Sequence, residues 1–163
     1  MSWNAYWEWP VPESTIGTAD VGRILSEAAE EVLETMFFTA ALGPAAFTGG
    51  AVFGAVVEFR GEPAGTCTVR LTAEAASELT TNFLGLPDGE VQPHQVAQVL
   101  AEFANMICGS VVSRVESNAR IELAAPRPLT PEAEPPESGV ATALWFQLDR
   151  GVLGLELRLA EEA

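Results

Sequence analysis

The chain has 163 residues, 23 acidic and 8 basic, for a formal charge of −15; such a surface repels phosphate backbones and anionic lipid, so neither nucleic acid nor membrane is an expected partner. Every basic residue is an arginine, and the absence of lysine removes Schiff-base chemistry, lysine general bases and a Walker-A phosphate loop. A hydrophobic content of 48% is ample for one domain core, and 19% charged residues argues against a disordered chain.

Residues 1–17 form an arm that holds Trp3, Tyr6, Trp7 and Trp9, three of the four tryptophans. Aromatics this dense are expected to pack on the edge of a core or on a second subunit. Pro10 and Pro12 end any strand there. The start lacks the basic and apolar stretches of a signal peptide, so a cytoplasmic protein is expected, with one domain over residues 18–163.

From Asp20 to Phe38 the apolar residues Val21, Ile24, Leu25, Ala28, Val32 and Met36 recur at three and four, which predicts a helix. Thr18 or Asp20 can cap it, Glu27, Glu30, Glu31 and Glu34 cover its wet side, and Gly43-Pro44 prevents continuation. Thr35 to Val57 carries no charge, but its glycines and Pro44 punctuate it as helix end, loop and strand, unlike a membrane helix.

Ala51–Arg60 and Gly65–Thr72 predict a hairpin around a Gly- and Pro-containing turn. Ala73–Leu84 predicts a short helix capped by Thr72 and stopped by Gly85. A long helix is expected from Pro93 to about Ser117, then a strand over Ala119–Ala125 and an exposed proline-rich loop over Pro126–Gly139. Val140–Asp149 and Val152–Leu159 complete a second hairpin; in the latter, leucines alternate strictly with Gly154, Glu156 and Arg158. Helix followed by paired strands thus occurs twice, which suggests a duplicated unit about a pseudo-two-fold axis. The order predicts an α/β fold of the α+β type: a mainly antiparallel sheet packed with two long helices and one short one.

Along the long helix, Val96, Leu100, Phe103, Ile107 and Val111 form an apolar stripe. Gln95, Gln98, Glu102, Asn105, Gly109, Ser113 and Glu116 form a polar ribbon on the opposite side. Glu102 and Asn105 are three apart, so their Cβ atoms stand about 5–6 Å from each other. A wet helix face must carry polar residues in any case, so this pair is either a site or simply a solvated surface. Gly109 costs a helix about 1 kcal/mol relative to Ala; it leaves a flat spot for an outside surface or serves close helix packing.

The other reactive residues read as structural. Cys67 and Cys108 lack metal-ligand spacing and are expected to be buried free thiols. His94 is the only histidine and stands beside Pro93 at a helix start, which suggests a surface or capping role. No metal site is expected.

The segment Ala101-Glu102-Phe103-Ala104-Asn105-Met106-Ile107-Cys108-Gly109 resembles the signature helix of the CheC/CheX/FliY chemotaxis phosphatases. That family's pattern is Asp or Ser, three residues, Glu, two residues, Asn, then twenty-two residues and a Pro. Glu102, Asn105 and Pro128 match it, whereas Gln98 stands where Asp or Ser is expected. No glutamate of the first helix has an Asn three places later, and one active half with one degenerate half is similar to CheX.

The resemblance implies a CheX-like fold and hydrolysis of the aspartyl phosphate on a CheY-like receiver domain. It implies Asn105 as the residue that positions the water and Glu102 as the one that docks the partner. Gln95, Gln98, Gly109 and Pro128 would line the partner-binding surface. The protein would need no cofactor of its own, Mg2+ arriving with the phosphorylated receiver. A homodimer built by extending sheets edge to edge is implied as well. The alternative is a non-catalytic binding or dimerisation module of the same fold.

Overall fold

Among the described residues, the two hydrophobic periods give one sheet and three helices. The computed structural model describes residues 18–46, 52–87, 89–115, 120–129 and 140–160. Helix α1 spans Thr18–Met36, α2 Ala73–Leu84 and α3 Pro93–Arg114. Strands are β1 Val52–Arg60, β2 Gly65–Thr72, β3 Glu122–Leu123, β4 Arg127–Pro128, β5 Val140–Gln147 and β6 Val152–Leu159. The aromatic arm, Glu116 at the end of the polar ribbon and residues 130–139 of the proline-rich loop lie outside the described residues.

The sheet order is β3-β1-β2-β6-β5, with β4 also pairing β1, and every pairing is antiparallel. Central β2 and β6 run side by side, and each carries its hairpin partner outward. Helix α1 precedes the β1–β2 hairpin yet packs on β5 and β6, while α3 precedes β5–β6 yet packs on β1 and β2. Each half therefore covers the other half's strands, the arrangement expected of a duplicated unit.

Strand alternation builds the core. Val57, Cys67, Val69, Leu71, Leu155 and Leu157 face the helices and join Leu25, Leu33, Phe37, Phe103 and Ile107 in one buried cluster. Phe37 anchors it, stacking on Phe83 and meeting Phe103 edge-on, with ring centroids 5.0 Å apart in both cases. By length and composition alone α3 could cross a bilayer. Its apolar side, however, packs in this core, where Val99, Leu100, Phe103, Ala104, Ile107, Cys108 and Val111 are buried.

Four expectations change. Thr72 sits at the N-cap position of α2, but its side chain makes no capping bond; its Oγ1 accepts from Val152 N–H at 3.0 Å and ties the two hairpins together. Of the strand expected over Ala119–Ala125, the described residues keep ladder pairing with β1 at Glu122–Leu123, and Ala124 N–H still donates to the Glu58 carbonyl of β1 at 2.8 Å. Arg127-Pro128, expected in a loop, pairs with β1 instead; at a sheet edge the missing proline N–H costs no ladder bond. Thr18 and Asp20, the two expected caps, both lie inside α1 rather than ahead of it.

Candidate functional site

Helix α3 starts from a fixed point. Pro93 takes the first turn, Gln92 N–H donates to Gln95 Oε1 at 2.8 Å, and Gln95 N–H donates back to the Gln92 backbone carbonyl at 2.9 Å, which fixes the first turn. Gln95 is therefore half-buried and its amide oxygen already holds the cap. From this start, Phe103, Ala104, Ile107 and Cys108 turn fully into the core, which turns Glu102 and Asn105 outward, both exposed. Rotating α3 to bring them inward would expose Phe103, Ile107 and Val111, at about 1.5–3 kcal/mol for each large side chain.

Neither Glu102 nor Asn105 has a hydrogen-bond or ion-pair partner among the described residues. A carboxylate and a carboxamide thus project from one turn of rigid helix, solvated and unengaged. Gln98 is exposed one turn before Glu102. Ser113, also exposed, donates to the Ser110 carbonyl.

Gly109 is informative. A Cβ built there would meet nothing within 4 Å. Close packing against the described residues, the internal explanation for a mid-helix glycine, is therefore removed. Pro128 is exposed on β4, and β4 touches α3, so the sheet edge carries it toward the helix that bears the ribbon. His94 is exposed, and both cysteines are buried free thiols. Its hydrogen bond with Cys108, together with burial, holds the Cys67 thiol well above the ordinary thiol range, which makes it unreactive.

Two features escaped the sequence. Arg114, at the end of α3, pairs with Glu27 at 3.2 Å and with Glu31 of α1, and its Nε donates to Ser110 Oγ at 3.3 Å. These acids of α1 thus hold it to α3. Elsewhere, an open depression of about 520 Å³ is lined by Glu74, Glu78, Asn82, Asp149 and Arg150 and shares no residue with the ribbon. Two of its polar side chains are engaged: Glu78 accepts from Arg150 N–H, and Asn82 donates to the Phe37 carbonyl. Burial raises the Glu78 carboxyl above its usual range, opposed by the Arg150 backbone bond. Among the described residues no group of three His, Cys, Asp or Glu side chains is placed to hold a metal ion.

The family model described as "Chemotaxis phosphatase CheX" matches residues 53–141, more than half of the chain, and takes in α3 and β4. The chain belongs to the CheX family. Solved structures agree at the level of fold. A CheX–CheY–BeF3–Mg2+ complex from Borrelia burgdorferi matches with TM-score 0.68 and 16% identity, over 85% of this chain and 97% of that one. CheX from Desulfovibrio desulfuricans gives 0.69 and 20%, over 86% and 99%. FliY from Thermotoga maritima gives 0.58 and 12%, over 86% and 87%. A search of curated sequences finds no match. At these identities the structural likeness speaks for a CheX-like fold alone, and what each residue of this CheX-family chain does must be argued from its own geometry.

Proposed function

We propose that this chain hydrolyses the aspartyl phosphate of a CheY-like receiver domain. The observation that carries the proposal is the pairing on α3: Glu102 and Asn105 stand exposed one turn apart on a helix whose other face is locked into the core. An acyl phosphate is already activated, so hydrolysis needs mainly an aligned water and neutralised charge. The Asn105 amide can accept from and donate to one water and hold it in line with the phosphorus. Attack then releases inorganic phosphate and the free receiver carboxylate. Glu102, an unpaired carboxylate beside it, would meet an ammonium group of the receiver and set the docking register. Mg2+ would arrive bound to the receiver, this chain adding no ligand.

Gln98, the nitrogen end of Gln95, Gly109 and Pro128 would line the rest of the docking surface. With α3 the one described helix that carries an Asn three residues after a Glu, and the α1 acids tied to Arg114, the proposed stoichiometry is one site per chain. This reading carries with it a cytoplasmic location, with neither membrane nor nucleic acid as partner. A homodimer would use the β5 edge between Val140 and Leu144, since β6 is interior and Leu42–Ala45 already pairs with Trp145–Gln147. Light scattering at micromolar concentration would report twice the chain mass; a monomer there overturns the dimer.

Gln98, in place of Asp or Ser, favours a second reading, a receiver-binding module without catalysis. Titration separates the two. Under the phosphatase reading Glu102→Ala weakens receiver binding, and the wild-type chain accelerates acyl-phosphate decay. Binding without acceleration decides for the module, and undiminished binding by Glu102→Ala removes its docking role.

A further inference from the structure

Single apolar side chains on a surface are ordinary, whereas a cluster of them marks a place where something docks. Four of the five large apolar side chains exposed among the described residues gather at one end of the molecule. They are Met36 at 42%, Phe38 at 75%, Leu42 at 64% and Leu84 at 42%. Contacts beneath them bring these positions together. Phe37 stacks on Phe83, and Asn82 Nδ2 donates to the Phe37 carbonyl at 2.9 Å, so the end of α1 lies against the end of α2. Leu42 N–H donates to the Gln147 carbonyl at 2.7 Å, where β5 ends. The turn that follows reaches α2 in its own right, through the bond from Arg150 N–H to Glu78 at 3.0 Å.

Beside the apolar cluster lies an acidic one. Glu74, Ser77, Glu78, Thr81 and Leu84 follow one another at three and four on α2, and none of them is buried. They form one outer strip about 15 Å long, acidic where the helix starts and apolar where it ends. Asp149 joins Glu74 and Glu78 around the open depression beside this strip, with Arg150 the one cation in its described lining. Burial first, and the charge of Asp149 after it, push the Glu78 carboxyl up. These acids therefore repel each other, and an arriving cation would relieve both.

Charge selects the occupant. Anionic lipid and nucleic acid are repelled by these acids and by a chain of formal charge −15. A second copy brings the same excess of acid over base, Glu74, Glu78 and Asp149 against Arg150, into a two-fold contact. The complement of this strip is a segment with cations at one end and large apolar side chains at the other. We propose that this end of the molecule docks a basic amphipathic segment of a partner protein. Its apolar side chains would sit on Phe38, Leu42 and Leu84, and its cations on Glu74, Glu78 and Asp149. The depression shares no residue with the α3 ribbon, so the proposal stands apart from the chemistry assigned to α3.

The test titrates the full-length chain into a fluorescent amphipathic helix of leucine and lysine, about four turns long, and reads anisotropy. A companion probe with serine in place of leucine keeps the charge and loses the apolar face; it should bind about tenfold more weakly. Phe38→Ser with Leu84→Ser should weaken binding of the leucine–lysine probe about tenfold, with circular dichroism showing that the fold is kept. Phe38→Ser alone, at the most exposed position, should weaken it about threefold and keeps the test open if the pair unfolds. Glu74→Gln with Asp149→Asn should weaken it about fivefold and flatten its salt dependence. Glu58→Gln with Glu122→Gln removes as much charge at the turn end of the β1–β2 hairpin, whereas the depression begins at Ala73, past its other end. That control should stay within about twofold of the wild type. Equal binding of the two probes, equal loss from the two acid pairs, or no loss from the apolar substitutions would each overturn the proposal. So would light scattering that shows the chain associating with itself through a contact that Phe38→Ser abolishes.

Discussion

Gly109→Ala should make the protein more stable and a worse partner at once. The helix interior gains about 1 kcal/mol when Gly becomes Ala. Nothing among the described residues opposes the added methyl, since no non-local atom lies within 4 Å. The expected rise in melting temperature is about 2–4 °C for a chain of this size. At the docked surface the same methyl fills the gap that the glycine leaves. Overpacking of that kind costs about 1–3 kcal/mol, which is about five- to 150-fold in receiver affinity. The assay is acyl-phosphate decay on a receiver titrated through saturation, with thermal unfolding on the same sample. The proposal expects KM to rise and kcat to stay, because Asn105 lies a turn away on unchanged backbone. Higher stability with an unchanged KM would refute the contact at Gly109. Lower stability would refute the open surface around it.

Two predictions concern the fold. Phe38 has φ of 53° just past the end of α1 and is 75% exposed, so it bears the left-handed cost without burial in return. Phe38→Gly should stabilise by about 1–2 kcal/mol in denaturant unfolding; a loss would mean that its ring has a partner. Glu78 has its folded pKa raised, chiefly by burial, above the ordinary 4.5. The native state then binds the proton more tightly, so this contribution is fully present below 4.5 and lost as pH rises through the folded value. Stability relative to Glu78→Gln should therefore fall as pH is raised from 4.5 through the raised pKa, and a rise over that range would contradict the burial.

Legibility in the sequence followed the range of the forces involved. Strand β2, helix α2 and strand β6 match the predicted bounds because their periods and punctuation are local: Gly65, Gly85 and the alternation after Gly151 need nothing from elsewhere. Strand β4 does not read as a strand, and β3 reads as longer than it is, because each exists only where β1 offers an edge. Thr72 looked like a cap, but its hydroxyl binds a backbone N–H 80 residues away. In the candidate site, the exposure of Glu102 and Asn105 followed from the helical period opposite Phe103 and Ile107. The Arg114 link to α1 was invisible, since it depends on how two helices distant in sequence cross.

The most direct measurement is the decay of a phosphorylated CheY-like receiver under saturating Asn105→Ala, beside the wild-type chain. Decay with the variant should return to the receiver's own rate while titrated binding stays within about twofold, because Glu102 and the open helix face remain. If the variant still accelerates decay as the wild type does, the water is held by some other group, and the chemistry assigned to α3 is wrong.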